Sequence, residues 1–88
     1  MFNYLTQGLT VARNMNILMN ELESINSEID GLDYSIKQLL NELTECETKG
    51  DYESFWRINK VYHRLWNRRE ELYERKDSTL NSLCSIRI

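Results

Sequence analysis

Residues 15–46, MNILMNELESINSEIDGLDYSIKQLLNELTEC, carry apolar side chains at Met15, Leu18, Leu22, Ile25, Ile29, Leu32, Ile36, Leu39, Leu43 and Cys46, spaced alternately by three and four. A strand needs period two, and the stripe of a buried globular helix drifts at 3.6. A strict 3.5-residue repeat keeps one narrow seam facing one neighbour, so this stretch predicts a single long helix built for coiled-coil-like packing. The same a and d positions run backwards through Val11, Gly8, Tyr4 and Met1, and only Gly8 interrupts their apolar character. Thr10 is a suitable N-cap, which starts the first helix at about residue 10 and leaves residues 1–9 as a frayed turn or a short separate segment. Gly31 falls on an outward position, where it costs about 1 kcal/mol relative to alanine without ending a helix.

The stop signal is Thr48-Lys49-Gly50-Asp51. Gly50 can adopt the left-handed conformation that closes a helix, Asp51 can cap the next one, and Glu53 suits its first turn. Beyond it Phe55, Ile58, Tyr62, Leu65, Arg69, Leu72, Lys76, Thr79, Leu83 and Ile86 continue the repeat. The expected architecture is all-α: one domain over residues 1–88, with helix 1 at about 10–48, a turn at about 49–51 and helix 2 at about 52–86. So short a link makes the helices antiparallel, a long coiled-coil-like hairpin. Opposing residues whose numbers sum to 101 pairs Cys46 with Phe55, Leu43 with Ile58, Leu39 with Tyr62, Ile36 with Leu65 and Ile29 with Leu72. That register is centred between Gly50 and Asp51, where the turn chemistry independently places the bend. Arg69 and Lys76 occupy seam positions, their stems packing while their charges reach Glu28 or Asp33 and Glu21 respectively.

The 88 residues include no proline and three glycines, with a net charge of −3. Residues 1–48 hold two basic and eight acidic side chains, and residues 49–88 nine basic and six acidic, so the two halves attract each other. Cys46 and Cys84 do not form a disulfide framework or a metal motif, and a reducing, cytoplasmic setting is expected. No apolar run approaches a membrane span. Nine asparagines against one alanine suit an AT-rich source such as a phage or mobile element, although seven arginines against four lysines do not.

A two-helix hairpin buries one stripe per helix and rarely stands alone at this size. The e positions that flank the seam supply Met19 and Leu40 from helix 1 and Tyr52, Trp66, Tyr73 and Leu80 from helix 2, widened by Trp56 at a b position, while the opposite edge is nearly all polar. An aromatic-rich edge of this kind has the composition of an interface core. It predicts a homodimer, two hairpins closing into a four-helix bundle, and a non-enzymatic protein-binding module of the inhibitor, adaptor or chaperone-like type with a protein partner. The alternative reading is RNA or single-stranded DNA binding through Arg57, Lys60, Arg64 and Arg68. No acid occurs between residues 54 and 69, and Trp56, His63 and Trp66 are interleaved with the cations. Catalysis has little to build on. His63 is the only histidine, and no carboxylate lies three or four residues from it to orient the ring. No cofactor or metal is expected.

Overall fold

The computed structural model describes the backbone of residues 2–86 and the side chains of residues 10–86. Two helices, α1 (Phe2–Lys49) and α2 (Tyr52–Ser85), fold back on each other as an antiparallel hairpin measuring 73 × 15 × 14 Å. The bend is made by two residues. Gly50 takes φ +71°, and its N–H donates to the Glu47 carbonyl at 3.2 Å, while the Asp51 N–H donates to the Cys46 carbonyl at 2.9 Å. These are the paired bonds of a Schellman ending, which satisfy carbonyls that the last turn of α1 would otherwise leave open. Asp51 then caps α2: its carboxylate accepts from the Ser54 N–H at 3.2 Å. The Ser54 hydrogen bonds hold the Asp51 carboxyl below its ordinary range.

α1 begins at Phe2, so Thr10 is an interior helical residue and not the N-cap expected from its type. Neither Gly8 nor Thr10 is a strong breaker. A glycine in a helix costs about 1 kcal/mol, which a 48-residue helix with no proline absorbs. With 34 residues, α2 is the shorter partner, and α1 runs on for about 20 Å past its end.

The core is thin. Among the described side chains Ile25, Ile29, Ile36, Leu43 and Leu72 are the buried apolar ones, and of these only Leu72 is fully enclosed, 1% exposed against Ile25, Ile29 and Leu32. That cluster puts Leu72 level with Ile29, the register that sums to 101. Nearer the turn, Leu39, Phe55, Ile58, Tyr62 and Leu65 are only half-buried, because two cylinders in contact cannot wrap the flanks of their own seam. Thr79, the buried polar residue, satisfies its hydroxyl by donating to the Arg75 carbonyl at 2.9 Å.

The accessible surface is 7241 Å². A compact monomer of 10.6 kDa would expose about 5,500 Å², so the rod leaves roughly 1,800 Å² more in water.

Two experiments on stability follow from these contacts. Gly31 lies in mid-helix with nothing within 4 Å of a Cβ built on it, so Gly31→Ala should stabilise the hairpin by about 0.5–1 kcal/mol, whereas Gly50→Ala should destabilise it by at least about 1 kcal/mol because its φ is positive. Thermal melts followed by circular dichroism would show opposite shifts. Leu72→Ala should cost about 2–3 kcal/mol, the lower end for a leucine truncation because so thin a core can close around the gap, and urea unfolding reads the change in midpoint.

Candidate functional site

The two edges of the hairpin close in different ways. On the g edge the helices are joined by ion pairs, Arg68 to Glu28 at 3.0 Å and Arg75 to Glu21 at 3.2 Å, with Arg68 also reaching Glu71 at 3.3 Å. All of these groups are well exposed, so each pair contributes only roughly 0–1 kcal/mol. Their effect is to cover that edge with charge.

Among the described residues the e edge has a single interhelical ion pair, from the Arg69 Nε to the Asp33 carboxylate. It sits among aromatic rings. The Arg69 guanidinium carbon lies 4.9 Å from the Trp66 ring centre and 4.7 Å from that of Tyr73, and Nη2 donates to the Tyr73 hydroxyl at 3.3 Å. Lys76 extends the stack, its ammonium 5.8 Å from the Tyr73 ring. A guanidinium between two ring faces is attracted by both quadrupoles, and the hydrogen bond it donates to Asp33 fixes its plane. The same hydrogen bond raises the Arg69 pKa above its ordinary value.

These contacts revise three expectations. Trp66 is half-buried, packed on Arg69 and edge-on to Tyr62 at 6.3 Å, and is therefore part of the hairpin's own structure more than of an open surface. Arg68 is held by Glu28 and Glu71, and not displayed with Arg57, Lys60 and Arg64. Glu21 pairs with Arg75 in place of Lys76, because a g residue of one helix meets a g residue of the other while Lys76 leans across the seam to the e edge.

The remaining interface candidates lie where the heptad puts them. Met19, Leu40, Tyr52, Trp56, Tyr73 and Leu80 are all exposed, from 65% at Tyr52 to 36% at Tyr73. Trp56 meets Phe55 edge-on at 5.7 Å, so it is braced at one side only. Sequence reading missed Ile17 and Tyr34, which are exposed on the outer face of α1, and the central part of Arg69. Apolar types at c and f positions signalled the first two. For Arg69, the signal was a tryptophan three residues before it and a tyrosine four after, one helical turn to either side.

His63 is exposed, with its ring near Tyr62 at 5.7 Å, and the described residues contain no group of three histidine, cysteine or acidic side chains arranged to hold a metal. Cys46 is half-buried beside the turn and Cys84 exposed towards the far end, both as free thiols. Among the described residues the surface depressions are shallow; one lies where Glu21, Arg68, Glu71 and Arg75 meet, and another is lined by Ile17, Leu18 and Ile86 with Asn14 and Ser82. No described helix is long and apolar enough to cross a membrane. Compared with protein families, curated proteins and solved structures, the chain matches none.

The stacked arginine is open to a spectroscopic check. With Trp56→Phe as background, Trp66 is the remaining tryptophan emitter, and Arg69→Ala should move its emission to longer wavelength as water reaches the ring face. An unchanged spectrum would mean that the guanidinium does not cover the ring in solution.

Proposed function

We infer that this hairpin is a non-enzymatic protein-interaction module whose aromatic edge is covered by a second copy of itself. The observation that carries the reading is the row Met19, Leu40, Tyr52, Trp56, Tyr73 and Leu80, exposed along one edge of a rod that buries five apolar side chains among the described residues. The excess surface of roughly 1,800 Å² per chain is about twice the roughly 800 Å² that each partner buries in a standard protein interface, so one such contact fits within it. The ion-paired edge does not compete, since desolvating its charges would cost more than their contacts return. Two hairpins meeting at their aromatic edges would make a four-helix bundle, with the Trp66–Arg69–Tyr73 stack inside the contact and the charged edges outside. In such a bundle the module acts by occupying a surface of another protein, as an inhibitor, adaptor or chaperone-like factor.

Sedimentation velocity on the purified chain tests this reading, with a species of twice the 10.6 kDa chain mass expected at micromolar concentration. The exposed side chains allow a variant that leaves the hairpin intact. Leu40→Asp combined with Leu80→Asp should give a helical monomer, because neither residue is buried within a single hairpin. A wild type that is monomeric throughout, or a double variant that still dimerises, would remove the proposed interface.

A further inference from the structure

The cations of α2 are of two kinds. Arg68, Arg69 and Arg75 are held in interhelical ion pairs, whereas the side chains of Arg57, Lys60 and Arg64 make no ion pair or hydrogen bond among the described residues. All three are exposed and lie at c and f positions, on the side of α2 turned away from α1. At 1.5 Å per residue Arg57 and Arg64 are about 10 Å apart along the axis, with Lys60 between them. Lys60 and Arg64 have no acid three or four residues away on their own helix. Glu42 and Glu45 share a groove with Arg57 near the turn, so the potential is most positive at Lys60 and Arg64.

Beside this stripe, at b positions, stand Trp56, 62% exposed, and His63, also exposed, two turns apart on the same flank. We propose that the outer face of α2, formed by Trp56, Arg57, Lys60, His63 and Arg64, binds single-stranded nucleic acid, the cations gripping phosphates while the aromatic rings stack on bases. The ring faces select this ligand over other polyanions. An acidic protein would use the charges and leave Trp56 without a role, and a duplex keeps its bases stacked and out of reach of a ring on a helix surface. The cations and His63 lie outside the Leu40 and Leu80 edge and remain open whether or not the chain dimerises there. Trp56 borders both surfaces, so a strand stacked on its ring competes with the second copy for that side chain.

The full-length chain is titrated against a fluorescently labelled oligothymidylate of about 20 nucleotides, with anisotropy as the readout over a range of salt concentrations. Three phosphate contacts predict that log K falls with log salt at a slope of about −2. Arg57→Gln/Lys60→Gln/Arg64→Gln should weaken binding at low salt by at least about tenfold and flatten the slope towards zero. Trp56→Ala should weaken binding about fivefold or more with the slope unchanged, a split that charge alone cannot produce. Circular dichroism should report the same helicity for every variant, since none of these side chains lies in the seam. Absence of binding by the wild type at low salt, or equal binding by the triple variant, would overturn the proposal. So would equal affinity for poly-glutamate or a duplex of the same length, or a Trp56→Ala variant that binds as tightly as the wild type.

Discussion

A helix can bury one stripe against one neighbour, and every other feature of this molecule is a consequence of having only two helices. The 3.5-residue repeat supplies stripes long enough to hold the hairpin together, yet enclosure is complete at a single side chain, Leu72. Elsewhere along the seam burial is uneven: Ile25, Ile29, Ile36 and Leu43 are buried, while Leu39, Phe55, Ile58, Tyr62 and Leu65 stay half in water because nothing stands over their flanks. Register therefore matters more than packing density. A slip of one heptad would move its centre about three residues off Gly50 and Asp51, and their hydrogen bonds close one helix and open the next without an intervening loop. Turn and seam specify the same alignment, so neither needs to be strong.

The flanks are treated differently on the two sides. On the g edge, glutamates of α1 meet arginines of α2, which ties the helices together and makes that side costly to dehydrate. On the e edge, one arginine lies between two rings and takes its counter-charge from Asp33. That arrangement uses cation–π attraction and stem packing where a hydrophobic side chain of similar length would leave a larger apolar surface in water. Both edges draw on the same division of charge, an acidic first half and a basic second half.

Much of this was legible in the amino-acid sequence, and the parts that were not share a cause. The two helices, their antiparallel order, the register and the residues of the turn follow from period and from backbone chemistry at Gly50 and Asp51, properties that hardly depend on neighbours. The beginning of α1 does depend on them: Thr10 is the right type for a cap, but a cap forms only where the helix stops, and Gly8 is too weak an interruption to stop it. Partner choice among the long side chains was equally hidden. Arg68 and Arg69 are adjacent in sequence and both within reach of α1 acids, and what separates them is that one projects to the g edge and the other across the seam to Asp33. Trp66 looked like open surface because its cover, Arg69, was counted as a seam residue.

Distinguishing paired from unpaired cations also changes the meaning of the acidic net charge. The formal value of −3 averages over groups that are already compensated inside the hairpin. Removing those pairs leaves acids on both helices, with Glu53, Glu70, Glu74 and Asp77 among the exposed residues of α2, and leaves Arg57, Lys60 and Arg64 as an acid-free stretch between Glu53 and Glu70. The surface is therefore locally positive along that stretch and not uniformly negative. At the 0.15 M ionic strength of a cell, screening acts within about 8 Å, less than the 15 Å width of the molecule, so an anion approaching the back of α2 responds mainly to the cations in front of it. Whole-chain acidity is therefore a weak argument against an anionic ligand on that face, and the exposed ring of Trp56 is what gives such a ligand a specific chemical form.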